Sequence, residues 1–458
     1  MSLEEARRPK TEQLVLPLYR RGEAPKGQRS GEASTAASGN DRPGTDRLME
    51  EVVQRGNAKA ALKRVMQNKG SPGIDGMTVD ELPKYLVEHW ETIREQLLTG
   101  TYQPKPVKRQ EIPKSGGGVR ELGIPCVLDR FIQQTILQVL QPRFDPTFSE
   151  HSYGCRPGRG AHDAVCAAQR YVQEGRHIVV DVDLAKFFDR VCHDVTMGKL
   201  EDRIEDKRML GLIRRYLKAG VMAHGVVVER FEGAPQGGPL SPLLANMLLD
   251  EVDKELEKRG HAFVRYVDDC NVYVRSQRAG EDVMVTLRRL YARLRLQVNE
   301  AKSAVAHAWT RKFLGYSFWV TKEQAVKRCV APKALVALKE RVREITSRSG
   351  GRSMKAIYAE LRSYLTGWRA YFRLSEKPHV FSDIDKWIRR RLRQVQLKQW
   401  KRGTTVYRKL RARGAFERDA KGAATQARRW WKTSRHRALH TALPTSYFDH
   451  MGVPRLAG

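Results

Sequence analysis

The chain has 458 residues, a formal net charge of +32 and an isoelectric point near 10.1. This charge indicates a polyanionic partner, either nucleic acid or an anionic membrane surface. No apolar run approaches the length of a transmembrane helix, so the membrane alternative is disfavoured. The six cysteines are scattered without a Cys-x-x-Cys pair, which disfavours a structural zinc site and fits reduced thiols in a cytoplasmic protein.

The N-terminal part of the chain alternates predicted helices with short predicted strands. Residues 1–45 are rich in Gly, Ser, Ala, Arg and Glu, which predicts a flexible tail. A structured region is predicted over 46–325. Within it, residues 101–125 are typical of two strands joined by a hairpin loop, and the β-branched run at 177–183 is typical of a buried strand. Residues 263–275 indicate a second hairpin.

The C-terminal part changes to predicted helix with dense Lys and Arg, which we divide into segments 326–400 and 401–458. Basic side chains neutralise phosphates, and aromatic rings stack on bases, so interleaving the two indicates RNA contact rather than a solvated face. The aromatic residues interleaved with the basic ones are Trp387, Trp400, Tyr407, Trp430 and Trp431.

Two adjacent carboxylates, Asp268 and Asp269, lie at the centre of the predicted second hairpin. Their neighbours are apolar and aromatic, so removing these carboxylates from water costs free energy. Bound cations are the simplest means of offsetting that cost. In a strongly basic chain this pair indicates metal-assisted phosphoryl transfer on nucleic acid, which needs carboxylates from different elements. The strand at 177–183 offers Asp181 or Asp183 as a third carboxylate. Both project to one face, so spacing alone does not choose between them.

The motifs around these carboxylates resemble those of a known family. Tyr266-Val-Asp-Asp269 resembles the YxDD motif of reverse transcriptases, and Asp183-Leu-Ala-Lys-Phe-Phe-Asp189 resembles a strand end of the bacterial group II intron class. Further segments resemble motifs of that class and follow in its order: Ser152–Arg159, Gly233–Pro242, Asn299–Lys302, Phe313–Phe318, Gly367–Phe372 and Trp387–Leu392. The ordered set is very specific. About residues 47–440 are similar to bacterial group II intron-encoded reverse transcriptase/maturases.

The resemblance implies an α+β fold with the right-hand architecture of polymerases. The fingers and the palm, with its antiparallel sheet, would occupy residues 46–325, and a helical thumb or maturase domain residues 326–400. A basic nucleic-acid-binding segment would follow over 401–458. Because no Cys/His cluster of an HNH endonuclease stands near Gly458, the chain resembles the class C proteins, and no second-strand nicking by it is expected.

The resemblance also assigns roles to single residues. It implies that Asp183, Asp268 and Asp269 form a catalytic triad around two Mg²⁺ ions, which Mn²⁺ would be able to replace. Asp183 and Asp268 would be the main metal ligands. Asp269 follows Asp268 on an alternating strand, so its approach to the ions would be less direct.

The incoming dNTP would be held by Lys114, Arg120, Phe188, Gln236 and Lys302. Lys114 and Arg120 flank the fingers loop and would bind the triphosphate through charge-assisted hydrogen bonds. Phe188, five residues after Asp183, would pack under the sugar and select dNTPs over NTPs. Contacts to nucleic acid are predicted for Arg156, Arg159, Arg389, Arg390, Arg391, Arg393, Lys401 and Arg402.

The implied activity is RNA-directed DNA synthesis from a DNA primer on an RNA template. The family further implies binding of group II intron RNA, assistance of its splicing, and intron retromobility by target-primed reverse transcription at a DNA target. The protein would act in the bacterial cytoplasm as a nucleoid-associated ribonucleoprotein. Two alternatives stay open, a free-standing reverse transcriptase used in DNA repair or phage defence, and a non-enzymatic RNA-binding splicing factor.

Two positions depart from the pattern of the class. Val267 stands where the class more often has Ala, and Cys155 stands where it usually has Phe. Neither departure removes a catalytic group, but both favour a divergent branch of the family.

Overall fold

The chain divides between Ala331 and Pro332 into two units in the computed structural model. The structure describes residues 46–113, 119–223, 226–228, 232–234, 237–348 and 350–457. The predicted tail over 1–45 and the predicted nucleotide-binding residues Lys114 and Gln236 lie outside the described residues.

The first unit alternates helices with short strands. Helices form where apolar residues recur every three or four positions, and strands form at runs rich in β-branched residues. Its elements are, in chain order, α1 (Leu48–Val52), α2 (Arg55–Asn68), α3 (Leu82–Thr99), β1 (Val107–Pro113), β2 (Val119–Ile124), α4 (Val127–Phe144), α5 (Ala161–Gln173), β3 (Ile178–Val182), α6 (His193–Glu201), α7 (Lys207–Lys218), β4 (Val221–Ala223), β5 (Val226–Val228), α8 (Ser241–Lys258), β6 (Ala262–Tyr266), β7 (Asp269–Val274), α9 (Gln277–Arg293), β8 (Ala304–His307), β9 (Tyr316–Val320) and β10 (Val326–Val330).

The first unit contains an antiparallel sheet with strand order β6-β7-β3-β8, which we call the palm sheet. Helix α9 packs on β3, β7 and β8, and helices α5 and α8 pack on β6. The apolar side chains between these layers are buried, with Val180 and Val272 at 0% exposure. Val182 of β3 lies opposite Cys270 of β7, so the last residue of β3 and the first residues of β7 meet at one end of the sheet.

A second sheet, with strand order β2-β1-β4-β5, contains the predicted fingers hairpin. Strands β1 and β2 pair antiparallel, and β1 pairs in parallel with β4. The backbone of Arg120 lies in β2, opposite Ile112. Strands β9 and β10 form a separate antiparallel hairpin, and the boundary predicted after residue 325 falls in its turn.

The described residues of the second unit form helices and connecting segments. Its helices are α10 (Pro332–Ile345), α11 (Met354–Tyr371), α12 (Pro378–Trp400), α13 (Gly403–Arg411), α14 (Glu417–Thr425), α15 (Trp430–Thr433), α16 (Arg437–Ala442) and α17 (Thr445–His450). Apolar side chains such as Leu361 and Leu392 are buried where α10 packs on α11 and where α12 packs on α13 and α15.

Sheets whose strands pair mostly antiparallel, combined with helices, confirm the predicted α+β class. Across the described ranges, no helix is both long enough and apolar enough to cross a membrane. The predicted limits of the functional domains, at residues 325 and 400, stay a prediction.

Candidate active site

The predicted carboxylates lie at one end of the palm sheet. Asp183 follows β3 directly, and Asp269 is the first residue of β7. Because Val182 lies opposite Cys270 in antiparallel register, the next residue in each direction places Asp183 beside Asp269. Asp268 lies in the turn between β6 and β7. Residues from two separate segments of the chain are thus brought to one location.

The carboxylates at this end of the sheet repel one another, which raises the pKa of Asp269. Loss of hydration raises the pKa of Asp269 to about 7, and the charges of Asp268, Asp181 and Asp183 add to that rise. Asp269 is nevertheless exposed at the surface, so an ion can reach it. Burial also raises the pKa of Asp181, against the effect of Arg311, whose guanidinium lies 2.7 Å from that carboxylate. Because Asp181 has a bonded cation, it fits the role of a structural neighbour better than that of a metal ligand.

Asp183 is held by the segment from Asn299 to Ser303. Its Oδ1 accepts a hydrogen bond from Asn299 Nδ2 at 3.3 Å and lies 3.4 Å from Lys302 Nζ. Its backbone N–H donates to Ser303 Oγ at 3.0 Å, and its carbonyl accepts from the Asn299 N–H at 2.8 Å. Lys302, which the resemblance assigns to the nucleotide, therefore lies at the carboxylate end of the palm sheet.

The donor atoms available here suit a hard divalent cation. Carboxylate oxygens are preferred ligands of Mg²⁺ and Mn²⁺, and crowded anions gain most from such a countercharge. In the part of the chain that the structure describes, no three His, Cys, Asp or Glu side chains approach closely enough to hold a metal ion by themselves. A divalent ion bound by Asp183, Asp268 and Asp269 would therefore need water and substrate phosphate as further ligands, as is usual for Mg²⁺.

The turn that carries Asp268 is fixed by a buried arginine. Arg265 and Asp253 are both 0% exposed, and Arg265 Nη2 lies 2.6 Å from Asp253 Oδ2. The same guanidinium donates to Asn246 Oδ1 at 2.9 Å, to Ser152 Oγ at 2.8 Å and to the Val267 carbonyl at 3.0 Å. We call Arg265, Asp253, Asn246 and Ser152 the hairpin brace, because their hydrogen bonds join helix α8, the segment before α5 and the hairpin turn.

The turn held by the hairpin brace has a strained backbone. Val267 has a φ of 60°, which is rare for a β-branched residue and typically costs about 1–3 kcal/mol. Gly154 passes so close to this turn that a Cβ on it would lie 2.4 Å from Val267 N and 2.9 Å from the Tyr266 carbonyl carbon. Asn246 Nδ2 donates to the Gly154 carbonyl at 2.9 Å, which keeps the two segments together. The Ser152–Arg159 motif therefore supports the hairpin that carries Asp268 and Asp269.

Gly154→Ala is expected to lower the free energy of unfolding of the first unit by about 1–3 kcal/mol, since the added methyl group overlaps backbone atoms. The measurement is the midpoint of urea unfolding. Gly198→Ala is the matched control, because a Cβ at Gly198, inside α6, meets no atom within 4 Å and alanine favours helix. An unchanged midpoint for Gly154→Ala would contradict the close packing.

Phe188 lies in a short 3-10 turn, Phe187–Asp189, that follows the end of β3. Its ring is half-buried and packs edge-on against Phe187, with ring centroids 5.0 Å apart. The Phe188 carbonyl accepts a hydrogen bond from the Ala234 N–H at 2.7 Å. The loop that includes Gly233 and Ala234 is therefore anchored beside Phe188.

Gly237 and Gly238, which come a few residues later in the chain, lie against β2 and helix α4. A Cβ on Gly237 would lie 2.7 Å from the carbonyl oxygen of Gly123 in β2. A Cβ on Gly238 would lie 2.3 Å from Gln133 Oε1 of helix α4. The structure thus brings β2, this loop and Phe188 to neighbouring positions, although Gln236 itself lies outside the described residues.

Two of the residues that are predicted to contact nucleic acid are buried inside the protein. The Arg156 side chain is 3% exposed, and its Nε donates to Asp145 Oδ1 at 2.9 Å. Arg393 is 5% exposed and donates to the Leu443 carbonyl at 3.0 Å, and burial lowers its pKa to about 10. The prediction is wrong for these two residues, because a buried guanidinium that is bonded within the protein does not reach a phosphate.

The remaining predicted nucleic-acid contacts are at least partly accessible and stay predictions. Some already contact other groups of the protein. Arg390 lies 3.4 Å from the centroid of the Trp431 ring, and Arg391 Nε donates to Thr346 Oγ1 at 2.7 Å. The accessible set consists of Arg159, Arg389, Arg390, Arg391, Lys401 and Arg402.

The sequence pattern alone does not reveal the hairpin brace. Its one signal is Arg265, a single charge inside the apolar run of β6, because a buried charge requires a partner. The partner, Asp253, has several acidic neighbours on α8, and only the fold distinguishes it from them.

Comparison with known families agrees with this geometry. The reverse transcriptase (RNA-dependent DNA polymerase) family matches residues 112–318, which include all three carboxylates. The group II intron maturase-specific domain matches residues 335–414. Reverse transcriptases use a divalent metal ion, which agrees with the donor set at the end of the palm sheet.

Known proteins are similar to parts of this chain. Protein YkfC of Escherichia coli (strain K12) is 36% identical over 220 residues, which cover 46% of this chain and 58% of YkfC. The group II intron-encoded protein LtrA of Lactococcus lactis subsp. cremoris is 35% identical over 195 residues, which cover 42% of this chain and 32% of LtrA. Among solved structures, one chain of a partial Cas6-RT-Cas1–Cas2 complex has 24% identity and a TM-score of 0.35, over 54% of this chain and 42% of that chain.

The chain thus spans less than two thirds of the length of these curated relatives. The two matched domains follow one another in the order that the sequence motifs predict. Residues 112–318 thus belong to the reverse transcriptase family, and residues 335–414 to the group II intron maturase-specific domain that follows it.

Proposed function

We propose that this chain is an RNA-directed DNA polymerase that extends a DNA primer with dNTPs on an RNA template. The observation that carries the proposal is the position of Asp183, Asp268 and Asp269 at one end of the palm sheet, inside the residues that match the reverse transcriptase family. Bound divalent cations, two Mg²⁺ ions that Mn²⁺ is able to replace, would activate the primer 3′-hydroxyl and stabilise the leaving pyrophosphate.

In this proposal Asp183 and Asp268 are the main metal ligands, and Asp269 acts from the adjacent strand position. Lys302, whose ammonium group is 3.4 Å from Asp183 Oδ1, offsets part of the negative charge and orients that carboxylate. The hairpin brace holds the Asp268 turn in place, so the carboxylates need little rearrangement during the reaction.

The incoming dNTP is proposed to lie between β2, the loop after Gly233 and Phe188. Lys114 and Arg120 would hold the triphosphate, and Gln236 would contact the nucleotide. The proposal is supported by the approach of Gly237 to β2 and by the hydrogen bond from Ala234 to Phe188, which border one region of the first unit.

Phe188→Ala is expected to raise incorporation of rNTPs relative to dNTPs by about tenfold, because loss of the ring admits a 2′-hydroxyl that the ring would otherwise exclude. The measurement is the ratio of kcat/KM for dTTP and UTP on the same template and primer. Phe187→Leu, at the buried neighbour, is the control and should leave this ratio unchanged. An unchanged ratio in Phe188→Ala would remove Phe188 from sugar selection.

A second activity is proposed for the same chain, the binding of group II intron RNA and the support of its splicing and mobility at a DNA target. The match to the maturase-specific domain over residues 335–414 and the net charge of +32 support this role. The same match favours an intron-associated protein over a free-standing reverse transcriptase.

The polymerase proposal is tested by primer extension with the purified full chain on poly(rA)/oligo(dT) and dTTP. Incorporation is expected that depends on the RNA template and on added Mg²⁺ or Mn²⁺. Absence of synthesis with either ion would overturn the polymerase and favour the non-enzymatic splicing factor.

A further inference from the structure

The second unit contains an open cavity where α11 ends and α12 begins. It has a volume of about 400 Å³ and is bordered by Trp368, Phe372 and Phe381. The Trp368 ring lies 4.5 Å from that of Phe372 and meets that of Phe381 edge-on at 5.8 Å, measured between centroids. These rings form an apolar lining that is fixed by their mutual packing.

The wall of the cavity is also fixed at the C-terminal side. Leu456 and Ala457 border the cavity, and their backbone N–H groups donate to the buried carboxylate of Asp385 at 3.0 Å and 3.1 Å. Pockets for small groups are usually preformed in this way, with an apolar lining and a few polar atoms.

Two kinds of polar group at the cavity lack a partner. The Ser375 hydroxyl is buried and has no hydrogen-bond partner among the residues that the structure describes, which is unusual because buried polar atoms are nearly always paired. Arg369 and Arg373 are exposed at the rim, and among the described residues neither makes an ion pair or a hydrogen bond through its side chain. Elsewhere in the unit, by contrast, arginines lie over aromatic rings, as Arg390 does over Trp431.

We propose that this cavity binds one unstacked nucleobase of a single-stranded RNA segment. The base would contact the aromatic lining, the Ser375 hydroxyl would turn into the cavity and bond to the edge of the base, and Arg369 and Arg373 would bind the flanking phosphates. The volume admits a base but not a duplex. Two cations at the rim favour a polyanion over an apolar side chain of a protein partner. This inference rests on the proposed RNA-binding role of the chain and adds a site to it.

The test uses fluorescence titration of the full chain with a single-stranded RNA 12-mer that carries one 2-aminopurine. Its emission reports whether the base is stacked on neighbours or transferred to another environment. Ser375→Leu fills the cavity and Ser375→Ala removes only the hydroxyl. Arg369→Gln/Arg373→Gln removes the rim charges. Arg408→Gln/Lys409→Gln removes the same charge from exposed positions on α13 and is the matched control.

The filled variant is expected to lose the 2-aminopurine signal and about tenfold in affinity, the usual effect of losing one base contact. Both charge pairs should lower the salt dependence of binding, but only the pair at the rim should also diminish the signal. Primer extension on poly(rA)/oligo(dT) should persist in every variant, which separates this site from the polymerase proposal.

Unchanged emission in both Ser375→Leu and the Arg369→Gln/Arg373→Gln variant would overturn the base site. Equal effects of the two charge pairs on affinity and on emission would also overturn it, because the arginines would then act only as general charge. If Ser375→Leu does not fold, the Ser375→Ala variant and the rim pair decide the question with the same readout.

Discussion

Primer extension is expected to fall below detection when Asp268 is replaced by alanine. The reason is that the variant loses one of the two main proposed metal ligands, whereas the backbone pairing of β6 and β7 does not depend on the side chain of Asp268. Metal ions of this kind contribute several kcal/mol of charge stabilisation in the transition state, and each 1.36 kcal/mol changes the rate about tenfold. The measurement is dTTP incorporation on poly(rA)/oligo(dT) over a range of Mg²⁺ and Mn²⁺ concentrations.

The stability of the Asp268→Ala variant shows whether its lost synthesis comes from lost chemistry or from lost folding. The charge of Asp268 raises the pKa of Asp269, so its removal relieves repulsion, and the urea midpoint of Asp268→Ala should equal or exceed that of the wild type. Asp189→Ala is the matched control, since Asp189 is an exposed acid in the turn that follows β3 and should retain activity. Synthesis by Asp268→Ala at a rate near that of the wild type would refute the metal assignment.

The candidate site could be predicted from the sequence where local pattern carries the information. Adjacent acids in an apolar hairpin and a β-branched strand ending in an acid are local features, and the ordered motifs join them into one site. The choice between Asp181 and Asp183 is different, because it depends on Arg311, which is distant in sequence and bonds to Asp181. Pattern and spacing within a strand do not contain that contact.

The error at Arg156 has a related physical cause. An arginine next to proline and glycine in a basic chain has the local features of an exposed phosphate contact. Asp145, eleven residues earlier, accepts its hydrogen bond and buries it. The Ser152–Arg159 motif is thus explained by support of the hairpin through Ser152 and Gly154, while Arg156 fixes the segment itself. A single sequence does not show which acidic residue pairs with a given arginine in the fold.

Arg265→Leu is expected to destabilise the first unit by about 3–5 kcal/mol, because it leaves Asp253 charged and buried without its partner. Burial already raises the pKa of Asp253, and Arg265 opposes that effect. Without the arginine, the pKa of Asp253 in the folded state lies further above its unfolded value of about 4. The free energy of unfolding therefore falls as pH rises above that unfolded value. The loss in the urea midpoint should therefore be smaller at pH 5 than at pH 8.

Removing both charges separates stability from positioning. The double variant Arg265→Met/Asp253→Leu replaces the buried pair by apolar groups of similar size, an exchange that is often neutral or stabilising. The urea midpoint should recover in part, because the unpaired buried charge is gone but the Val267 carbonyl, Ser152 Oγ and Asn246 Oδ1 still lack their donor. Primer extension should not recover, because that donor also held the turn.

The kinetic parameters that change in the double variant identify the role of the hairpin brace in primer extension. A displaced turn changes how the carboxylates hold metal, so the concentration of Mg²⁺ needed for half-maximal rate should rise and kcat should fall, each by about 10–100-fold, as for groups that orient metal ligands. KM for dTTP should change less, because the proposed triphosphate contacts come from the fingers hairpin. Recovery of both stability and kcat in the double variant would show that the Arg265–Asp253 pair serves folding alone.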